Sequence, residues 1–154
     1  GIVMPAVQKF AVIAIMIFAM ACEANNAQTE GPYVTIRHQR VTLEITHTPH
    51  EQSRGLGGRD SLAWGHGMLF EYPKPAFPAF WMKDMRFDID IVWIRDGRIV
   101  DISHRVKFSP DGPGPTYRPT ALTDTVLEVP SGYALAHSWR VGDTVTLDRG
   151  KSAQ

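Results

Sequence analysis

At 154 residues the chain has room for one domain whose core needs no metal or disulfide support. Sixteen basic and sixteen acidic residues cancel, so the basic excess expected of a nucleic-acid binder is missing. A single cysteine, Cys22, excludes an intramolecular disulfide and any cysteine-rich zinc site.

The opening segment differs in kind from the rest. Lys9 is the only charge before Glu23, and residues 10–21 are apolar throughout. As a helix this run would reach about 18 Å, short of a bilayer core of roughly 30 Å. A basic residue, a short apolar run and the small-x-small stretch Ala19-Met20-Ala21 predict a secretory signal over residues 1–21, with Met4 as initiator. Cys22 follows directly, a position that resembles the lipidated cysteine of bacterial lipoproteins, although Ala19 stands where leucine is usual. The alternative is a non-lipidated signal, with Cys22 a free thiol or removed. Both place the mature protein outside the cytoplasm, in the periplasm or anchored to the membrane. Residues 22–32, polar and small, are expected to be a flexible tether, and residues 33–150 a single β domain.

Within that domain, Val41, Leu43 and Ile45 alternate with Thr42, Glu44 and Thr46, the period of a half-buried strand; residues 33–37 behave similarly. Thr48-Pro49-His50-Glu51 predicts a capped helix start, and Gly55 to Gly58 must end that helix within about two turns. Residues 67–72 predict a strand stopped by Pro73 and Pro75. After Pro78, residues 80–83 should be extended. Residues 88–94 and 98–106 predict a hairpin through Asp96-Gly97, since Asp-Gly between β-rich runs favours a tight turn. Four prolines and two glycines make residues 109–119 a long surface loop. Residues 125–129 predict another strand, closed by Pro130. Residues 132–139 predict a helical turn, and a last strand ends near Leu147 with the final residues frayed. Seven or eight short strands and one or two helical turns imply an all-β domain, a jelly-roll-like sandwich or partly closed barrel.

Candidate chemistry concentrates at Phe80-Trp81-Met82-Lys83-Asp84-Met85 and the run from Asp88 to Ile94. Trp81 and Lys83 on one face would offer an aromatic plate and a cation, with Asp90 orienting the lysine. The structural alternative fills the core with both aromatics and pairs Lys83 with a carboxylate. Arg54 and Arg59, with Arg86, could bind an anion near Gly55 to Gly58. No histidine pair has zinc spacing. Met68, Met82 and Met85 with His66 or His104 could hold Cu(I), and Asp84, Asp88 and Asp90 a divalent cation or hydrolytic chemistry. No serine sits in a nucleophile elbow.

Arg54-Gly55-Leu56, Arg59, Gly67-Met68-Leu69-Phe70, Phe80-Trp81-Met82-Lys83, Asp90-Ile91, Leu127-Glu128-Val129-Pro130, Gly132 and Val141-Gly142-Asp143 occur in one order. In that order they resemble the DUF192 (UPF0127) family of uncharacterised bacterial and archaeal proteins. The resemblance covers about residues 40–147 and implies a compact jelly-roll-like β domain with no assigned activity. Asp84 and Met85 replace the family's asparagine and threonine, and Gly57 its methionine. The resulting expectation is an exported, monomeric, non-catalytic module of the cell envelope. It would bind a small-molecule or polymeric envelope ligand through Arg54, Arg59, Trp81, Lys83 and Asp90. No cofactor, metal or nucleic acid is expected, and contact with a membrane only through a lipid on Cys22. The competing expectation is a copper- or divalent-cation-dependent protein or a hydrolytic enzyme using the Asp, Met and His groups near residues 81–90.

Overall fold

A computed structural model describes residues 30–151; the expected signal segment, Cys22 and the tether up to residue 29 lie outside the described residues. The elements run β1 (Tyr33–Ile36), β2 (Gln39–Ile45), α1 (Pro49–Arg54), β3 (His66–Ala76), β4 (Ile89–Arg95), β5 (Arg98–Val106), β6 (Thr123–Pro130), α2 (Tyr133–Ala136) and β7 (Val145–Asp148). All the strands join one sheet in the order β5-β4-β6-β3-β2-β1-β7. Among the described residues only β2 and β3 pair in parallel, because α1 and the segment after it carry the chain back to the same end of the sheet.

The sheet curls until its two outer strands meet. Arg98 at the start of β5 bridges Thr144 just before β7, and the Val145 amide donates to the Gly97 carbonyl at 2.8 Å. Of the two expected architectures this is the partly closed barrel, a half-barrel made from one twisted sheet.

Local chemistry accounts for the joints. Asp96 and Gly97 take φ of 48° and 70°, the paired positive values of a tight hairpin, and Arg37 and His38 do the same between β1 and β2. The Thr48 hydroxyl accepts the Glu51 amide at 3.1 Å, and the Glu51 carboxylate accepts the Thr48 amide at 3.1 Å. This capping box fixes where α1 begins.

Two boundaries differ from expectation. β3 runs through Pro73 and Pro75 to Ala76, because its register against β6 shifts between Glu71 and Ala76 and asks no ladder bond of either proline. Beyond β7 the chain is held rather than frayed at Arg149, which pairs with Glu71 at 2.6 Å and 2.9 Å.

Two apolar clusters lie on opposite faces of the sheet. One joins Val34, Ile36, Val41 and Leu69 to Tyr133 and Trp139 at α2. The other joins Met68, Phe70 and Val126 to Leu56, Met82 and Met85 from the segments that cover that face. β4 serves both: Ile91 and Trp93 point into the second cluster, Val92 and Ile94 into the first. A strand covered on both faces therefore reads as a continuous apolar run.

Candidate functional site

The segment carrying Trp81 and Lys83 is a turn, not the extended strand expected. Phe80 exchanges backbone hydrogen bonds with Tyr117 at 2.8 Å and 2.7 Å, and there the strand-like pairing ends. The Met85 amide then donates to the Met82 carbonyl at 3.1 Å, with Asp84 at φ 59°. Aspartate tolerates this left-handed conformation much as asparagine does, so Asp84 suits the backbone where the resemblance expects asparagine. Met82 and Met85, 1% and 7% exposed, pin the turn to the core. Trp81, 51% exposed, is left outside with Lys83, whose Nζ lies 5.3 Å from the indole centroid. That separation is within cation–π range.

Two hollows share this pair in their linings. The outer cleft, about 860 Å³, lies between the end of α1, the turn and the proline-rich loop, with Phe108 and Pro110 on its far wall. The Gly58 amide donates to the Asp84 carbonyl at 2.9 Å and clamps the α1 side to the turn. An inner chamber of about 270 Å³ shares Arg54, Trp81 and Lys83 with the cleft and reaches Glu128. Neither Arg54 nor Lys83 forms an ion pair among the described residues. Arg86 also lines the cleft, held at 2.6 Å by Asp60, and the one carboxylate on that wall is Asp84. The cleft is thus electropositive, with an aromatic plate at its edge.

The other expected site residues are not brought here. Arg59 pairs through both terminal guanidinium nitrogens with Glu44 and lines a separate hollow on the β2 side. Asp90 does not orient Lys83. It is fully buried in β4 and accepts the amides of Arg105 at 2.8 Å, Gly132 at 3.1 Å and Ala134 at 2.9 Å, which fixes the start of α2. Asp88 is likewise engaged, by the Lys107 ammonium at 2.7 Å and the Phe108 amide at 3.0 Å. Met68, Met82 and Met85 all pack inside the second cluster, whereas His66 and His104 are exposed. Among the described residues no three His, Cys, Asp or Glu side chains gather as a metal site would require.

Sequence reasoning missed Glu128. It sits in β6 opposite Met68 of β3 and Ile91 of β4, on the face of the second cluster, and is 5% exposed. Its Oε2 is buried without a hydrogen-bond partner. Desolvation by burial pushes its pKa up to about 8, so the acid is largely protonated at neutral pH. Tyr72 beside it is pushed up to about 12, first by burial and then by the Glu128 charge. The signal was present in the sequence as a lone acid inside the apolar run Val126-Leu127-Glu128-Val129.

A model of DUF192, described as uncharacterized ACR, matches residues 33–147 and so takes in Arg54, Trp81, Lys83 and Glu128. The chain belongs to the DUF192 family. Among solved structures, this DUF192 domain is similar to a protein of unknown function from Novosphingobium aromaticivorans DSM 12444. The identity is 26% and the TM-score 0.68, over 74% of this chain and 83% of that one. It is also similar to a Sinorhizobium meliloti 1021 protein described as a candidate transcription regulator. There the identity is 23% and the TM-score 0.70, over 77% of this chain and 95% of that one, a likeness of fold. No curated protein matches the chain.

Proposed function

We propose that this DUF192 protein is a non-catalytic, ligand-binding module of the cell envelope. Its cleft takes a small or polymeric ligand that carries an anionic group beside a flat face. One observation carries this reading. Trp81 and Lys83 stand together in solvent at the edge of the outer cleft, while Met82 and Met85 between and behind them are buried. A turn anchored by its apolar residues holds the two exposed ones in a fixed relation, and Arg54 adds a second unpaired cation. Stacking surface plus a few aimed polar groups is the usual make-up of a concave ligand site. The electropositive wall favours a carboxylate or phosphate over a cation. Export rests on the residues 1–21 signal pattern.

Titration of the purified mature domain with hexuronate oligomers and with 3-phenylpropionate, followed by tryptophan fluorescence, tests the cleft. Binding should weaken at least tenfold in Lys83→Ala and in Arg54→Ala, with the fold intact. Undiminished affinity in both variants would overturn the reading. Fractionation of cells producing the full chain tests the location, and recovery from the cytoplasm alone would remove the envelope assignment.

A further inference from the structure

The inner chamber has a chemistry of its own. Its walls are the rings of Phe70, Tyr72 and Phe80 with the edge of Trp81, its mouth carries Arg54 and Lys83, and a single carboxyl group, Glu128, lies at its depth. These last two cations with Tyr72 and Glu128 are the charged or titratable groups that line it. Glu128 is an exception among the acids of this sheet. Asp90, Asp101 and Asp124 each accept backbone amides, whereas the buried Oε2 of Glu128 meets no donor. A buried polar atom left unbonded is costly, and an apolar side chain would fill the same place without that cost. Glu128 nevertheless lines an aromatic-walled space, and a carboxyl group kept there calls for a donor that arrives from outside.

We propose that the chamber is the specificity pocket of the cleft, and that it takes the ammonium end of a small amino-carboxylate or amino-phosphate zwitterion. Glu128 receives the amine, the aromatic walls surround it, and Arg54 and Lys83 hold the anionic end at the mouth. The proposal rests on the cleft being a binding site and names the class of ligand it binds. Rings around a cation add attraction, because their faces carry negative potential. The shared lining fits the same ligand: the residues that bound the chamber's mouth also bound the outer cleft, so one molecule can reach both ends. At about 270 Å³ the chamber suits a small organic molecule and not a polymer chain. A polymer would enter by one terminal unit. When an ammonium docks, the carboxyl proton leaves to solvent, and a salt bridge replaces a neutral acid.

Calorimetric titration of the mature domain tests this, with each amino acid measured against the same molecule lacking its amine, such as phenylalanine against 3-phenylpropionate. At least one amino acid should bind tenfold or more tightly than its des-amino partner. Its binding at neutral pH should release close to one proton, read from the dependence of the heat on buffer ionisation. Glu128→Gln, which keeps the shape and the hydrogen-bonding oxygen, should abolish both the preference and the proton release. If des-amino acids bind as well as amino acids and still depend on Lys83, the cleft stands and the chamber proposal falls. A preference that survives Glu128→Gln, or binding without proton release, overturns it too. If no member of either series binds, the chamber proposal fails, while hexuronate binding still decides the cleft.

Discussion

The Asp90 carboxylate accepts the Ala134 amide at 2.9 Å, joining β4 to the first turn of α2. With the Gly132 and Arg105 amides on its other oxygen, Asp90 closes the barrel end by electrostatics where α2, at four residues, has no side-chain cap of its own. The same acid placed one residue away would face the opposite cluster. Its role is therefore to build the scaffold that carries the cleft, not to act in it.

Asp90→Ala should accordingly be among the most damaging single changes. It leaves three amides without an acceptor, that of Ala134 buried and those of Arg105 and Gly132 partly buried, a loss of about 3 kcal/mol at roughly 1–3 kcal/mol for each unsatisfied group. Asp90→Asn can keep its oxygen on Arg105 and Gly132 and lose only the Ala134 bond, so it should fall between. Urea unfolding of the two variants measures the order. A fully stable Asp90→Ala protein would show that α2 is held by Tyr133 and Trp139 packing alone.

Glu128 predicts a pH dependence of stability with a definite sign. Its pKa in the folded protein is about 8 against an ordinary 4.5, so between those values the folded state keeps a proton that the unfolded chain has lost. The contribution is full below the unfolded value, shrinks as pH rises, by up to about 1.4 kcal/mol per unit, and levels off above the folded value. Glu128→Gln should flatten this slope. Denaturant unfolding at intervals from about pH 5 to pH 9 reads it, and equal slopes in the two proteins would mean that Glu128 is already ionised at neutral pH.

The parts of the fold set by short-range chemistry were legible in the sequence. Asp96-Gly97 and Thr48-Pro49-His50-Glu51 each carry their own geometry in adjacent residues, and both form as expected. The strands were found from their periods, but their pairing only at the Asp96-Gly97 hairpin, since nothing local brings β7 to the start of β5. At the site, Trp81, Lys83 and Arg54 were named because aromatic and charged side chains stand out in any run. Asp90 was misplaced because an acid in a strand looks the same whether it faces a cleft or caps a helix 44 residues on. Glu128 was passed over for the converse reason. Its meaning depends on the chamber beside it, made by α1 and the 80–85 turn, and these meet β6 only in three dimensions.

Gly67 should resist substitution for a steric reason. A Cβ there would sit 2.8 Å from the Glu128 carbonyl and 3.0 Å from a Leu127 methyl group, so β3 and β6 would have to part at Glu128. Gly67→Ala is expected to cost about 1–3 kcal/mol, as overpacked cores do. It should also weaken any ligand that depends on Glu128. Unfolding and binding measured together check both; a stable variant with unchanged affinity would show that the strands separate there at no cost.

The turn at residues 82–85 makes a last contrast testable. Met82 is almost wholly enclosed by the second cluster, so Met82→Ala should cost about 2–5 kcal/mol through lost contacts and a residual cavity. Trp81 is half exposed one residue earlier and Lys83 is exposed one residue later. Their alanine variants should change stability by no more than about 0.5 kcal/mol, the usual range for surface positions. Thermal and urea unfolding of the three variants side by side separates a scaffold role from a binding one. If Trp81→Ala proved as costly as Met82→Ala, the indole would be holding the turn in place. Any loss of binding in that variant would then reflect the collapse of the turn and not a missing stacking surface.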